Sequence, residues 1–216
     1  MTLLYDPPMP SIADLLRQLG DIPPGRVRSI PPPGTATRED LLKPENFGCE
    51  LVYGTLVEKA MGHKANRFGA WLLAILNVYV DAHNLGYCTG EQGFIELPDG
   101  PVRGPDIAFF AWDRLENRRP PDDEPIPTTA PDLVVEVLSP GNTPAEMERK
   151  RAEYFRGGVQ LYWEFDPETE SARTYSAFAE FSDLTPNDVL DGGTIIPGFS
   201  VPMKQLWAKH RATGNS

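Results

Sequence analysis

Residues 130–140 read APDLVVEVLSP, a short apolar run with turn-forming residues at both ends. This pattern predicts a buried β-strand. One carboxylate, that of Glu136, lies inside the run. An ionised glutamate in a buried strand is costly unless it is paired or binds a cation. The stretch therefore predicts an inner strand of a sheet and a functional acid within it.

A second stretch, residues 103–110 with the sequence RGPDIAFF, also places an acid at the start of an apolar strand. If the two strands are neighbours in one sheet, Asp106 comes close to Glu136. Two adjacent carboxylates form a hard, oxygen-rich site of the kind that Mg²⁺ or Mn²⁺ prefers. We therefore expect these two acids to bind a divalent metal ion.

Composition limits the classes of protein to which this chain can belong. Its 216 residues, 40% of them hydrophobic and 24% charged, suit one globular domain with an attached arm. The net charge of −11 argues against a protein that simply coats nucleic acid, because neutralising phosphates needs clustered lysine and arginine. This charge does not exclude an enzyme that meets DNA through a local basic rim.

The sequence shows no sign of a membrane or secretory protein. No apolar run approaches the roughly 18 residues that span a bilayer, and the first residues lack the basic start of a signal peptide. Cys49 and Cys88 belong to no CxxC motif or Cys/His cluster, which argues against a zinc site. We expect a cytoplasmic protein with reduced thiols and no membrane partner.

The chain divides into a proline-rich arm, a domain and a short tail. Residues 1–44 hold nine of the 23 prolines, so we expect little regular structure there apart from a short helix that Ser11 caps and Gly20 ends. The rest of the arm is expected to cross the surface or to reach a partner subunit. We place the domain at residues 45–207 and the tail at residues 208–216.

The first half of the domain predicts a hairpin, a helix and a strand. Residues 50–58, ELVYGTLVE, predict a hairpin with a tight turn at Tyr53 and Gly54. Residues 63–84 predict a long helix, because large apolar residues recur at spacings of three and four. Residues 87–97 predict a single strand.

The second half predicts a helix after the Glu136 strand, followed by further strands. Asn142 or Thr143 caps this helix, and the glycines at 157 and 158 end it. Further strands are predicted over residues 159–165, 172–175 and 192–199, the last as an edge strand. This order of elements implies an α/β (α+β) fold, in which a mixed sheet packs against helices.

Two further residues extend the candidate site. Glu50 lies early in the hairpin, and Lys150 lies in the helix after the Glu136 strand. Met147, Lys150 and Tyr154 share one helix face because of their spacings, which places Lys150 towards the sheet edge. Phosphodiester hydrolysis needs a carboxylate-held metal, an attacking water and positive charge near the phosphate oxygens, and a lysine can supply that charge.

The sequence resembles the Uma2 family of restriction endonucleases over about residues 45–205. The motifs that carry the resemblance are, in order, ELVYGTLVE (50–58), His63, GPDIAF (104–109), PDLVVEVLSP (131–140), Lys150 to Tyr154 with Gly158, and YWEFDP (162–167). The family is similar to the PD-(D/E)XK nuclease superfamily. The resemblance implies a restriction-endonuclease-like mixed β-sheet flanked by helices, and a Mg²⁺-dependent, DNA-cleaving site with Asp106 and Glu136 as metal ligands.

The chain departs from the superfamily pattern at one position. The Glu-X-Lys motif requires a lysine two residues after the glutamate, where this chain has Leu138. The Uma2-like interpretation gives the role of the catalytic lysine to Lys150, with Glu50 assisting the metal directly or through water. The alternative is that Lys150 pairs with Glu146 or Glu153 on a solvated helix face.

Basic residues near the motifs form a candidate DNA-contacting lip around the acidic centre. They are His63, Lys64, Arg67 and Arg103. The alternative for these residues is a solvated, charged surface. Glu91, at the start of a predicted strand, is a further candidate ligand of the metal.

These observations predict a Mg²⁺- or Mn²⁺-dependent endonuclease that acts on DNA. Enzymes of the superfamily that it resembles often cut as homodimers, and an exposed arm suits subunit exchange, so a homodimer is expected. The alternative is a catalytically inactive nuclease-fold protein that acts as an interaction module. The acidic net charge, the missing Glu-X-Lys lysine and the proline-rich arm favour this alternative.

Overall fold

Three β-sheets and five α-helices make up residues 11–211, the part of the chain that the computed structural model describes. Residues 1–10 of the predicted arm and 212–216 of the predicted tail lie outside these described residues. The helices are α1 (Ile12–Gln18), α2 (Arg38–Leu41), α3 (His63–Ala82), α4 (Pro144–Arg156) and α5 (Met203–Arg211). The strands are β1 (Cys49–Val52), β2 (Thr55–Glu58), β3 (Gly86–Gly90), β4 (Ile95–Glu96), β5 (Val102–Arg103), β6 (Ile107–Ala111), β7 (Leu133–Val137), β8 (Leu161–Asp166), β9 (Ser171–Ala177), β10 (Glu180–Leu184), β11 (Val189–Asp191) and β12 (Ser200–Pro202).

The largest sheet is mixed and contains the Glu136 strand near its centre. Its six strands lie in the order β10-β9-β8-β7-β6-β3. The pair β7–β8 is parallel, and every other neighbouring pair is antiparallel. All five residues of β7 are buried. The predicted buried strand and the mixed α/β (α+β) architecture are therefore confirmed.

Helices cover both faces of the six-stranded sheet. Alternate residues of β7 point to opposite faces, so Leu133, Val135 and Val137 join one core cluster and Val134 joins the other. The first cluster includes Phe68 and Leu72 of α3 and Trp207 of α5. The second includes Tyr154 of α4, which packs on Tyr162 of the sheet, and Tyr162 in turn packs on Tyr175. Glu136 follows Val134 by two positions, and its side chain therefore lies on the α4 side.

A four-stranded antiparallel sheet in the order β2-β1-β5-β4 lies beside the large one. Its β1–β2 hairpin turns at Tyr53 (φ 49°) and Gly54 (φ 67°), as predicted. Both turn residues have left-handed backbone angles, which are characteristic of the tight two-residue turns that join antiparallel strands. The hairpin places Glu50 at the centre of β1, opposite Val57.

Helix α4 has the caps that its sequence predicts. The Thr143 hydroxyl accepts a hydrogen bond from the Glu146 N–H at 3.1 Å, and Pro144 occupies the first helical position. Gly157 follows the last helical residue, and Gly158 has a φ of +96°. The helix thus begins directly after the β7–α4 loop, so its first turns lie near the end of the Glu136 strand.

The N-terminal segment crosses the surface of its own chain. Ser11 caps α1 by accepting a hydrogen bond from the Asp14 N–H at 3.2 Å. Leu19 is fully buried, and Gly20 has a φ of +87°. A Cβ atom at Gly20 would lie 2.6 Å from the Cα of Glu146, so only glycine permits the segment to pack this closely on α4.

Two predicted strands have a different structure. Residues 87–97 form β3 of the large sheet and β4 of the small one, because a tight turn at Gly90–Gly93 breaks the strand between them. Residues 192–199 form the turn between β11 and β12 instead of an edge strand, with left-handed backbone at Gly193 and Gly198. The strand β10 was not predicted.

Within residues 11–211, no helix combines the length and the apolar character that crossing a membrane would require. Cys49 and Cys88 are both free thiols.

Candidate active site

Asp106 and Glu136 lie opposite each other on neighbouring strands. The antiparallel β6–β7 register pairs Ile107 with Val135, and one step further along it places Asp106 against Glu136. The N–H of Val137 donates to Asp106 Oδ2 at 2.7 Å, which fixes this carboxylate at the strand end. The Glu136 side chain is buried, whereas that of Asp106 is 22% exposed. The structure therefore brings the two acids to neighbouring positions on paired strands, and their role as metal ligands stays a prediction.

Lys150 of α4 reaches the Glu136 carboxylate. Its Nζ lies 3.3 and 3.4 Å from the two Glu136 oxygens and 3.2 Å from Glu50 Oε1. The Tyr154 hydroxyl, one helical turn later, donates to Glu136 Oε1 at 2.9 Å. The predicted helix face therefore points at the buried acid, and Lys150 does not lie on a solvated face.

Glu50 and Arg103 belong to a buried ionic network behind this contact. Arg103 donates from Nη1 to Glu50 Oε2 at 2.7 Å, and from Nε and Nη2 to Glu153 Oε2 at 2.8 and 2.6 Å. The N–H of Gly104 donates to the other oxygen of Glu50, which also contacts Lys150. Arg103 has no exposed surface, so the expectation that it contacts DNA is wrong.

Burial and neighbouring charges shift the pKa values of these groups in opposite directions. Burial raises the pKa of Glu136 to about 7, and the nearby Asp106 adds to the increase while Lys150 opposes it. For Glu50, burial also favours the neutral acid, but Lys150 and Arg103 outweigh it and lower the pKa. Of these two carboxylates, Glu136 is thus the one whose charge its surroundings compensate less, so a cation next to it is favourable.

A second lysine, Lys59, lies on the other side of the acids. Its Nζ donates to the Gly104 carbonyl at 2.7 Å and to Asp106 Oδ1 at 2.9 Å. Glu91 Oε1 lies 3.6 Å from the same nitrogen. Burial would lower the pKa of Lys59, but the carboxylates of Asp106, Glu136 and Glu50 raise it, so the ammonium form persists.

A cavity of about 420 Å³ opens beside Asp106. It lies between the first half of α3 and the ends of β3 and β7. Its polar lining is contributed by His63, Asn66, Glu91, Asp106 and Ser139, and its apolar lining includes Ala60, Met61, Ala65, Leu73 and Val137. Asp106 is therefore the acid that faces solvent, and this cavity is the open side of the site.

The family model described as "Putative restriction endonuclease", Uma2, matches residues 37–204. The chain belongs to the Uma2 family. The predicted resemblance is therefore confirmed, and the match includes every residue of the candidate site, from Glu50 to Lys150.

Among solved structures, the Uma2 chain is similar to a "putative nuclease belonging to DUF820" from Anabaena variabilis. The TM-score is 0.66 at 21% sequence identity, over 75% of this chain and 90% of the other. At this identity the likeness shows the fold alone. A comparison with curated proteins gives no match.

The Uma2 chain lacks the lysine of the Glu-X-Lys motif, and its structure brings other lysines to the acids. Leu138 occupies the motif position and is half-buried. Lys150 reaches Glu136 from α4, and Lys59 reaches Asp106 from the end of β2. Sequence reasoning missed Lys59. The hairpin pairing of Cys49 with Glu58 was the available signal, because it places residue 59 beside the start of the strand that carries Glu50.

The predicted basic lip is only partly present. His63, the first residue of α3, is exposed and lines the cavity. Lys64 forms an ion pair with Glu168 at 3.1 Å, and Arg67 donates to the carbonyl of His210 at 2.6 Å. Among these three residues, His63 is the one that borders the open side of the site.

The carboxylates suit a divalent ion that is held jointly with substrate. Within the described part of the chain, no three His, Cys, Asp or Glu side chains lie close enough to enclose an ion. Mg²⁺ is commonly held by one or two carboxylates, with waters and substrate phosphates supplying the other ligands. Asp106 and Glu136 supply two hard oxygen donors, and each already holds an ammonium group at 2.9–3.4 Å. These lysines show that the carboxylates attract cations.

Proposed function

We propose that this Uma2 protein is a Mg²⁺- or Mn²⁺-dependent endonuclease that hydrolyses phosphodiester bonds in DNA. The observation that carries the proposal is the placement of Asp106 beside Glu136 on paired strands, with Lys150 bound to Glu136. Membership of a family described as restriction endonucleases supports the reaction class. The nuclease fold of the structural neighbour is consistent with it.

Asp106 and Glu136 are assigned as the metal ligands. When bound, the ion would supply Lewis-acid charge to the phosphate and lower the pKa of a coordinated water. Asp106 would bind from the open side, because its carboxylate borders the cavity. Glu136 would bind from the buried side, where its incompletely compensated charge favours a cation.

We assign Lys150 as the lysine that supplies positive charge near the phosphate oxygens, beside Glu136. Its ammonium is positioned by two carboxylates, those of Glu136 and Glu50, in a fully buried setting. Glu50 was predicted to assist the metal. Because its oxygens already accept hydrogen bonds from Arg103 and Gly104 and contact Lys150, we assign it to positioning Lys150.

Cleavage of supercoiled plasmid, single-stranded and branched DNA with Mg²⁺ or Mn²⁺ tests the proposal. Glu136→Gln should abolish the metal-dependent cleavage of these DNA substrates. Glu164→Gln is the matched control, because Glu164 lies opposite Glu136 in the β7–β8 register but has no lysine partner. Equal activity of the wild type and Glu136→Gln would refute the assignment.

The second candidate function is a catalytically inactive nuclease-fold interaction module. Leu138 in the Glu-X-Lys position and the self-contained salt bridges of Arg103, Lys150 and Lys59 favour it. Calorimetric titration with Mn²⁺ separates the two functions. An inactive scaffold should give no heat of binding that depends on Asp106 and Glu136.

The oligomeric state and the cellular compartment of the protein are also part of the proposed function. We propose a homodimer that acts on DNA in the cytoplasm, and the two free thiols are consistent with a reducing compartment. Sedimentation of the full chain with and without DNA tests the homodimer. Fractionation of cells that express the protein tests the compartment.

A further inference from the structure

Two lysines contact the candidate metal ligands, and their surroundings differ. Lys150 contacts Glu50 and Glu136, whose side chains are only 1% and 5% exposed. Lys59 contacts Asp106 and Glu91, whose side chains are 22% and 37% exposed. The two lysine side chains are themselves buried, at 3% and 4% exposure, but Lys150 lies among buried acids, whereas Lys59 lies between two carboxylates that border the cavity.

The ammonium of Lys59 retains one hydrogen-bond donor. An ammonium group has three N–H donors. Two of them are used by the Gly104 carbonyl at 2.7 Å and Asp106 Oδ1 at 2.9 Å. The third possible partner, Glu91 Oε1, lies 3.6 Å away, beyond a normal hydrogen bond. Within the described residues, the third donor thus has only the distant carboxylate of Glu91 as a partner, and the Lys59 side chain is 4% exposed.

The backbone holds Lys59 at this place. Its own N–H donates to the Gly48 carbonyl at 2.8 Å, directly after β2 ends at Glu58. The Gly104 carbonyl that accepts from Nζ follows β5, so two strands of the small sheet set the position of the ammonium. Because the ammonium group is already held in place before the substrate binds, little free energy is spent on reorganising it during the reaction.

On the basis of the proposed function, we infer that Lys59 is a catalytic residue that donates to a non-bridging oxygen of the scissile phosphate. If Asp106 holds the ion, a phosphate bound there from the cavity side would come close to the Lys59 ammonium, which donates to Asp106 Oδ1 at 2.9 Å. Lys59 then stabilises the charge that develops on the phosphate oxygens. Without substrate, the same ammonium neutralises Asp106 and competes with the metal ion.

Lys59→Met should affect the rate of DNA cleavage and the affinity for Mn²⁺ differently. Cleavage of DNA at saturating Mn²⁺ should fall about 100-fold, the typical effect of removing one preorganised donor. Binding of Mn²⁺ without DNA should be retained or become about tenfold tighter, since a unit positive charge next to Asp106 is removed. A lysine with a purely structural role would instead weaken both.

The experiment combines calorimetric titration with Mn²⁺ and single-turnover cleavage of the full chain. Lys43→Met is the control for the loss of a lysine–aspartate ion pair as such, because Lys43 pairs with Asp40 at 2.6 Å through an exposed side chain that contacts neither Asp106 nor Glu136. If Lys59→Met does not fold, Lys59→Gln, which keeps a donor for Gly104, replaces it. Loss of cleavage with undiminished Mn²⁺ binding supports the inference.

Two results would overturn the inference. One is cleavage by the Lys59 variant within about twofold of the wild-type rate, and the other is a loss of cleavage that accompanies an equal loss of Mn²⁺ affinity. Failure of the proposed function is distinguishable, because it would be seen in the wild type. That protein would then neither bind Mn²⁺ through Asp106 nor cut DNA.

Discussion

Arg26 of the N-terminal segment forms a bidentate salt bridge with Glu146 in the first turn of α4. Arg26 Nη1 donates to Glu146 Oε2 at 2.9 Å, and Nη2 donates to Glu146 Oε1 at 2.7 Å. The pair is nearly buried, with side-chain exposures of 11% and 1%. Because α4 also carries Lys150, this contact joins the proline-rich segment to the helix that completes the candidate site.

Arg26→Met should lower the free energy of unfolding by about 3–5 kcal/mol, because it leaves the buried Glu146 carboxylate without its partner. Denaturant unfolding measures this loss. Arg17→Met is the control, since the Arg17–Asp14 pair is exposed and should contribute less than about 1 kcal/mol. Equal losses in the two variants would contradict a structural role for the segment.

The Arg26–Glu146 pair should make stability depend on acid pH. Burial favours the neutral form of Glu146, but the hydrogen bond from Arg26, the nearby charge of Lys150 and the hydrogen bond from Asn142 outweigh it and lower the pKa below the ordinary 4.5. A carboxylate with a lowered pKa in the folded state stabilises the protein above its ordinary pKa, and this contribution disappears as the pH falls through the folded-state pKa. The difference in unfolding free energy between wild type and Glu146→Gln should therefore be constant at neutral pH and narrow below pH 4.5. A difference that stays constant down to pH 3 would rule out this linkage.

Lys150→Met should reduce metal-dependent DNA cleavage about 100-fold or more, because it removes the positive charge next to Glu136. Leu138→Lys in the same protein restores a lysine at the Glu-X-Lys position, on the Glu136 face of the chain, and should recover at least about tenfold of the rate. Leu138→Met with Lys150→Met is the control for repacking. If the added lysine recovers nothing, Lys150 does not replace the missing motif residue.

Tyr154→Phe should weaken both stability and activity moderately. It removes the 2.9 Å hydrogen bond to Glu136 from a fully buried hydroxyl, which typically costs about 1–3 kcal/mol. Tyr162→Phe is the matched control, since its equally buried hydroxyl makes only a 3.4 Å contact with Glu164. Thermal unfolding and cleavage rates measure the difference. Indistinguishable variants would show that Tyr154 does not orient Glu136.

Elements with strong local signals could be predicted from the sequence. The α4 boundaries follow from Thr143, Pro144 and Gly157, and the β1–β2 turn follows from Gly54. Two strand predictions failed, because apolar residues continue through tight turns. At residues 87–97 the apolar pattern does not reveal the turn before Gly93, where a Cβ atom would clash with the Thr89 hydroxyl.

The sequence alone determined that Glu136 is a buried acid in a strand and that Asp106 opens its neighbour, because both follow from apolar patterns within a few residues. Tertiary structure alone decided which lysine and arginine side chains pair with the acids of the site. Lys59 meets Asp106 across 47 positions, and Arg103 meets Glu153 across 50. Such pairs depend on how two sheets and a helix pack, and each buried charge is stable only where that packing supplies its partner. For this reason Arg103 was assigned to the surface and Lys59 was overlooked, although both lie beside the residues that define the site.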